Sequence, residues 1–218
     1  MARRWLVSAV GRGGADQRGS RVGPATDRLA SEDAADRQRS VMRLAELGSA
    51  AQAAVPALQY DDDRWVRGES AAALAEIAGP DAIPALIRAV NTDDDPEVAT
   101  AAASALPRIG PSAIPALVEA LPSGGCIAGQ GLAEIGSTAV PALLAVLRIP
   151  PIRGHRMARI GATCAVKSLA PDTTATVQAL MAAMEDSDPG VRWHVLDVLR
   201  VLENNRVLAL PTLLVGPR

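Results

Sequence analysis

The sequence predicts an all-α protein, a solenoid of about five to six stacked helical hairpins, on three observations. The phrase GPSAIPAL at residues 110–117 has near copies at 51–58, 79–86 and 136–143. An apolar segment with helical periodicity precedes the copies. The prolines of the phrase, Pro56, Pro84, Pro115 and Pro141, are 28, 31 and 26 residues apart. A period of about 20 to 50 residues is typical of stacked repeat units.

The chain begins with a segment that lacks this periodicity. Residues 1–23 are rich in Arg and Gly, a composition that predicts a flexible arm. The repeats are expected over residues 24–214, followed by a short tail at 215–218. An incomplete opening helix and the first helix of repeat one are predicted within ATDRLASEDAADRQRSVMRLAELG.

The first helix of each hairpin is predicted from apolar anchors at its first, ninth and twelfth positions. These anchors are Val66, Leu74 and Ile77, then Val98, Leu106 and Ile109, and later Val191, Leu199 and Leu202. Gaps of eight and three residues return to one side of a helix that has about 3.6 residues per turn. Each segment therefore predicts a helix with one apolar stripe, which must stack on neighbours to bury it.

The phrase GPSAIPAL predicts the end of one helix, a turn and the start of the next. Gly110 suits a left-handed position just after a helix, and Pro115 suits a first helical turn, where its missing N–H costs little. At the acidic turns between repeats, Asp63, Asp95 and Asp188 are predicted to be N-caps. Their acidic neighbours are expected to be free for contacts, and a divalent-ion site or a docking ridge for a basic partner is the alternative.

The last two copies of the phrase are altered. Gln178 stands at the proline position of the fifth copy, and the sixth keeps Pro211 in LALPTLL. The step from Pro141 to Gln178 is 37 residues, and the excess lies in RIPPIRGHRM, a predicted loop. The C-terminal helix lacks the polar outer face of a terminal repeat, so a partner, self-association or further repeats are expected to cover it.

The combined pattern D..VR..AA.AL..IG...A(I/V)PAL resembles the short bacterial HEAT repeats called PBS-lyase HEAT-like repeats. The resemblance covers about residues 36–214. It implies a right-handed α-solenoid, a HEAT-like superhelix in which the second helices line the concave face. The pattern is specific for the fold and poorly specific for function.

Composition and charge limit the classes of partner that the chain is expected to bind. The 22 basic and 24 acidic residues nearly cancel, so the chain lacks the positive field that gathers nucleic acid or anionic lipid. No uninterrupted apolar run of about 20 residues predicts a membrane span, and the chain is expected to be cytoplasmic. Cys126 and Cys164 have neither a disulfide-framework nor a metal-ligand spacing, so they are expected to be buried free thiols. No metal or cofactor is expected.

The sequence does not predict an enzyme, since it contains no phosphate-binding loop, nucleophile elbow or HExxH motif. The resemblance to deoxyhypusine hydroxylase fails because that family needs His-Glu pairs, and neither His155 nor His194 is followed by Glu. Phycobilin lyases bind a tetrapyrrole and a partner subunit without a short motif, so a chromophore-lyase-like enzyme or its subunit is the first alternative function. A DNA-binding repair protein is the second, although scattered positive residues do not form the basic face it needs.

The main functional prediction is a non-catalytic scaffold that binds a protein or peptide on its concave face. The outward positions of the second helices, counted from the PAL anchors, are Gln59, Arg88, Glu119, Arg148 and Glu185. Their mixed charges favour a protein or peptide over a nucleic acid. The loop adds Arg153, His155 and Arg156, which suit a phosphate or carboxylate. A connection stiffened by two prolines is the alternative interpretation of that loop.

Two further features each allow two interpretations. Trp65 and Trp193 stand near the starts of first helices and suit either a partner anchor or packing over the preceding repeat. The first helix of repeat four is intrinsically weak because it contains Gly124, Gly125, Gly129 and Gly131. These glycines fit either a hinge between two stiffer halves or closely packed helices.

Overall fold

The computed structural model describes residues 28, 29, 31–47, 57, 59–148, 155–170 and 174–204. Within them the chain forms nine α-helices and no strand: α1 (Ala34–Leu47), α2 (Arg64–Ile77), α3 (Ile83–Thr92), α4 (Pro96–Ile109), α5 (Ile114–Ile135), α6 (Val140–Arg148), α7 (Arg156–Leu169), α8 (Thr174–Ala183) and α9 (Pro189–Asn204). The all-α prediction is confirmed. The predicted arm at 1–23 and the tail at 215–218 lie outside the described residues.

The repeated phrase forms the connection inside each hairpin, as predicted. Helix α4 ends at Ile109, a short 3₁₀ turn follows at Pro111–Ala113, and α5 begins at Ile114. Between them Gly110 has φ 91° and ψ −157°. The expectation of a left-handed helical conformation at this glycine was wrong, because this ψ is extended. The requirement for glycine stands, since this combination of φ and ψ is open almost only to glycine.

The chain divides into two compact units, and the first comprises Met1–Ala116. In this unit the first helices stack on one another, α1 on α2 and α2 on α4, and α3 packs against α4. Leu29, Val41, Ala57, Val66 and Ala73 form a buried cluster. First helix therefore follows first helix along the stack, which is the translational stacking of a solenoid.

The second unit comprises Leu117–Arg218 and repeats the arrangement. First helices α7 and α9 pack together, and second helices α6 and α8 pack together. Leu143, Leu147, Leu180, Val191 and Leu202 are almost completely buried between them. Branched aliphatic side chains and alanines fill the interior, which allows closely spaced helices.

The predicted anchors occupy the core face of the first helices. Val66 and Leu74 are fully buried in α2, and Val98 and Leu106 are at most 1% exposed in α4. The third anchors Ile77 and Ile109 are half-buried in the last turns of α2 and α4, whereas Leu202 of α9 is fully buried. The spacing of eight and three residues therefore identified the buried stripe correctly.

The glycines of repeat four lie in helix α5, at a bend and at a close contact with α7. The backbone of α5 bends at Gly125, which has φ 47° and ψ −123°, so one continuous run contains the second helix of repeat three and the first of repeat four. A Cβ on Gly129 would overlap the carbonyl oxygen of Gly161 in α7, and a Cβ on Gly161 would overlap that of Gly125. These glycines let two first helices of the second unit approach closely, as the packing interpretation expected.

Candidate partner-binding surface

The acidic turns supply the predicted N-caps. The Asp63 carboxylate accepts hydrogen bonds from the N–H groups of Trp65 and Val66 at 2.8 and 3.2 Å. Asp95 and Asp188 make the corresponding bonds at the starts of α4 and α9. The hydrogen bond from the Glu97 N–H is the main reason that the pKa of Asp95 lies below its usual value, and Arg64 lowers it further.

The same turns carry an arginine–aspartate contact between consecutive repeats, here called the clasp. Arg67 of α2 donates from Nε and Nη2 to the two carboxylate oxygens of Asp93, at 3.0 and 2.9 Å. Its Nη1 donates to the backbone carbonyl of Asp61 at 2.9 Å. One guanidinium thus joins the turn that begins its own repeat to the turn that begins the next. The hydrogen bonds to Asp93 raise the pKa of Arg67, so its guanidinium stays charged.

The clasp recurs at other repeats. Arg37 of α1 donates to both carboxylate oxygens of Asp61 at 2.8 Å, and each side chain is only 4% exposed. In the second unit Arg159 of α7 donates to Asp186, and Arg192 donates to the Asp186 carbonyl at 2.7 Å. The clasp therefore forms in both units.

The clasp shows that the prediction of free acidic neighbours was wrong. The first aspartate of each turn is largely buried. Its carboxylate accepts hydrogen bonds from the clasp arginine and from the backbone N–H of the third aspartate. Asp61, for example, accepts one from the N–H of Asp63 at 2.9 Å. Even the exposed middle residues Asp62 and Asp94 lie 3.0 and 3.1 Å from Nη2 of Arg37 and Arg67. In the described part of the chain, no three His, Cys, Asp or Glu side chains are grouped to hold a metal ion.

Two predicted contact residues lie at one cavity in the first unit, here called the Arg88 cavity. Its volume is about 440 Å³, and it opens between Gln59 and Tyr60 on one side and α3 on the other. Its lining is Gln59, Tyr60, Asp61, Arg67, Arg88, Ala89, Thr92, Asp93 and Asp94. The clasp between Arg67 and Asp93 thus forms part of the wall.

The chemical groups that the Arg88 cavity offers are those of a polar binding site. Arg88 is exposed, and its guanidinium forms no ion pair or hydrogen bond with any residue that the structure describes. Tyr60 is 54% exposed and adds an aromatic ring with a hydroxyl, while Gln59 adds an amide. A guanidinium, a phenol and an amide together suit a peptide segment that brings a carboxylate and backbone polar groups.

Three predicted contact residues lie in or next to helices that extend into the second unit. Glu119 is in α5, Arg148 is the last residue of α6, and Glu185 follows α8. All three side chains are exposed. Exposure is what a contact position needs, although no described contact joins these three residues to one another, and their role stays a prediction.

One residue of the predicted loop site, Arg156, makes an ion pair. Arg156 lies at the start of α7 and its Nε is 3.1 Å from Asp188, the N-cap of α9. His155 is half-buried at the N-cap position of α7 and makes no capping hydrogen bond with its side chain. Arg153 lies outside the described residues. Arg156 thus already pairs with a carboxylate, and anion binding by these loop residues stays a prediction.

The tryptophans are more exposed than packing over the preceding repeat would allow. Trp65 is 58% exposed, and the Arg64 guanidinium lies 5.1 Å from its ring centroid. Trp65 borders a groove of about 250 Å³ with Gly68, Val98 and Ala101, so it faces the following repeat. Trp193 is 61% exposed and meets His194 edge to face. The packing interpretation was therefore wrong for both residues.

The described residues include no single helix that is long and apolar enough to cross a membrane. One pair of helices passes the same test of length and composition together, Pro111–Ile135 with Ser137–Arg148, but the pair is bent by 120°.

Comparison with known structures gives similar proteins of low identity. One is an engineered protein with 21% identity and a TM-score of 0.42, where the match covers 84% of this chain and 98% of that one. Another is the complex of CpcE and CpcF of phycocyanin lyase from Nostoc sp. PCC7120, with 19% identity, a TM-score of 0.41 and coverage of 88% and 96%. No curated protein matches the chain.

One family model matches part of the chain. The family model described as HEAT repeats matches residues 22–107 and 51–125, which together span repeats one to three and the start of repeat four. This match agrees with the helical hairpins and with the first-on-first helix stacking of both units. Residues 22–125 of the chain therefore match the HEAT-repeat family.

Proposed function

We propose that this HEAT-repeat chain is a non-catalytic, cytoplasmic scaffold that binds a segment of another protein on the surface of its second helices. The Arg88 cavity is the central contact of this surface. The observation that carries the proposal is the exposed Arg88 guanidinium, which has no side-chain partner among the described residues and lies beside Gln59 and Tyr60.

The contrast with other arginines of the first unit supports a binding role for Arg88. Arg67 is held by Asp93, Arg64 lies 3.4 Å from Asp95, and Arg108 pairs with Glu76. These side chains connect one repeat to the next. Arg88 makes no such connection within the described residues, so its charge is available to a ligand.

The size and the lining groups of the cavity favour one kind of partner. Its volume of about 440 Å³ falls in the range of about 300 to 1,000 Å³ that is usual for ligand pockets. Arg67 pairs with Asp93 and lies 3.1 Å from Asp94, which also lines the cavity, so Arg88 is the cation that an incoming carboxylate meets. A peptide segment with an Asp or Glu side chain for Arg88 and an apolar group for the Tyr60 ring fits these groups.

The test is a comparison of two charge reversals in a binding assay. A partner is first captured from the native cell by the full chain and is then titrated, as a purified protein, against each variant. Arg88→Glu should weaken binding by a factor of about ten or more, because a charge-assisted hydrogen bond is lost and a repulsion is gained. Arg200→Glu is the matched control, since Arg200 is also exposed but lies on the first helix α9. Equal affinities of the two variants would reject the proposal.

The alternative functions predict other results with the same purified protein. A chromophore-lyase-like enzyme should purify with a pigment or bind one, and should then absorb visible light. A DNA-binding repair protein should bind duplex DNA with an affinity that falls steeply as salt is raised. Either result, combined with unchanged protein binding by Arg88→Glu, would replace the scaffold proposal.

A further inference from the structure

The two cysteines of the chain are adjacent in the second unit. Cys126 directly follows the bend of α5, and Cys164 lies in the middle of α7. Their sulfur atoms are 2.8 Å apart although the residues are 38 positions apart in sequence. Both are free thiols, but Cys126 is exposed and Cys164 is half-buried, so the expectation that they are buried was wrong.

The glycines explain why these two sulfur atoms meet. Gly129 lies three residues after Cys126, and Gly161 lies three residues before Cys164. Positions three apart share one face of a helix, so each cysteine stands beside the close contact between Gly129 and Gly161. Larger residues at these glycines would separate the backbones and with them the two sulfurs. The close approach is therefore built into the backbone of this helix pair.

A small reagent has access to the pair. A cavity of about 440 Å³ in the second unit is lined by Cys126, Gln130, Ala133, Glu134, Cys164 and Ser168. Burial raises the pKa of Cys164 to about 12, and the neighbouring Cys126 contributes to this rise. Cys164 is thus protonated near neutral pH, which leaves the exposed Cys126 as the thiol that a reagent meets first.

We propose that Cys126 and Cys164 are a modification site that forms an intramolecular disulfide when the protein meets a peroxide. The Cys126 thiolate attacks one peroxide oxygen, the O–O bond breaks, and the released hydroxide takes up a proton to become water. The sulfenic acid of Cys126 is then attacked by the sulfur of Cys164, which gives up its proton. The S–O bond breaks and a second water leaves. Two thiols and one hydrogen peroxide thus give one disulfide and two water molecules.

This disulfide would join the first helices of repeats four and five. It would lie beside α5, whose bend and glycines give it the least favourable helix propensity among the first helices. A covalent bond at this place would prevent the two helices from separating. The inference is independent of the proposed function, because neither the site nor its test involves a partner.

The experiment uses the reduced full chain and hydrogen peroxide. The number of reactive thiols should fall from two to none, and the intact mass should fall by about 2 Da while the chain stays monomeric. A reducing agent should restore both thiols. In Cys164→Ser, the sulfenic acid of Cys126 has no partner, so a sulfenic-acid trapping reagent such as dimedone should label Cys126 strongly. The wild-type chain should be labelled at least tenfold less.

Three outcomes would overturn the inference. The thiols could persist in excess peroxide, oxidation could give only cross-linked dimers, or the wild-type chain could gain oxygen at Cys126 as readily as Cys164→Ser does. Equal unfolding curves of the reduced wild-type chain and Cys164→Ser would show that both are folded, so that a negative result counts against the site itself.

Discussion

Two arginines of α1 make ion pairs that differ in burial and in the number of hydrogen bonds that the guanidinium donates. Arg37 and Asp61 have side chains that are each 4% exposed, whereas Arg39 and Asp36 are 66% and 38% exposed. Arg37→Ala would leave the buried Asp61 carboxylate without its charged partner. We expect a loss of about 3 to 5 kcal/mol in the free energy of unfolding, measured by urea denaturation.

Arg39→Ala is the control for this change because it removes the same side chain from the same helix. Its pair with Asp36 is exposed to solvent, which screens the attraction, so the urea midpoint should barely move. If the two variants lost similar stability, the effect would come from the helix rather than from the clasp.

The N-cap Asp95 makes the stability of the first unit depend on pH. Its pKa in the folded protein is lower than the usual value of 3.8, so the charged carboxylate stabilises the fold above that value. This contribution disappears as the pH falls through the lower, folded pKa. Asp95→Asn keeps a capping oxygen but does not titrate. As the pH falls through 3.8 and below, the variant should lose less stability than the wild type.

Urea midpoints of both proteins at several pH values measure this difference. The other carboxyl groups with lowered pKa values, such as those of Asp36 and Asp188, titrate in both proteins and therefore cancel. Parallel pH profiles would show that the charge of Asp95 does not contribute to folding.

At the scale of whole elements, alanine substitutions at two helical glycines should change stability in opposite directions. A Cβ on Gly129 of α5 would overlap the backbone of Gly161, and a backbone can move only with its helix. Gly129→Ala should therefore destabilise the protein by roughly 1 to 3 kcal/mol and slow the formation of the disulfide. Thermal unfolding measures the first effect, and the rate of thiol loss in peroxide measures the second.

Gly68 of α2 provides the matched change. A Cβ there would lie 3.9 Å from that of Ala101, an ordinary contact. Gly68→Ala should raise stability by about 0.4 to 1 kcal/mol, because alanine restricts the unfolded chain and favours the helix. A destabilised Gly68→Ala would mean that α2 and α4 tolerate no added methyl group.

These elements show what the sequence could and could not predict. The Val66, Leu74 and Ile77 spacing and the Gly-Pro phrase predict helices and turns because both signals depend on local geometry. The clasp joins Arg67 to Asp93, 26 residues away, and only the repeated D..VR pattern hinted at it. The pairing of Cys126 with Cys164 left no local signal, because it depends on how closely two distant glycines let helices pack.

The candidate site was predicted less completely than the fold. Counting from the PAL anchors identified Gln59 and Arg88, which line the same cavity, because exposure on a helix follows from its period. The ion pair of Arg156 with Asp188 was missed, since it joins the start of α7 to the N-cap of α9 and depends on tertiary placement. Tyr60 was missed as well, although it directly follows Gln59 in the sequence.

For the whole molecule, the repeat architecture makes stability a local property. Each helix of the first unit packs mainly on its neighbours in the stack, and the clasp likewise joins one repeat to the next. In such an array, stability is approximately a sum of repeat and nearest-neighbour contributions. A core mutation should therefore act on adjacent repeats more than on distant ones.

Hydrogen exchange of Arg37→Ala tests this local character. Amide protons of α1 and α2 should exchange about a hundredfold faster or more, because the clasp that joins them is lost at a cost of several kcal/mol. Amide protons of α9, which lies in the second unit, should keep wild-type rates. An equal acceleration in α1 and α9 would mean that the chain unfolds as one cooperative body. In that case the clasp would stabilise the whole molecule, and the nearest-neighbour description would not apply.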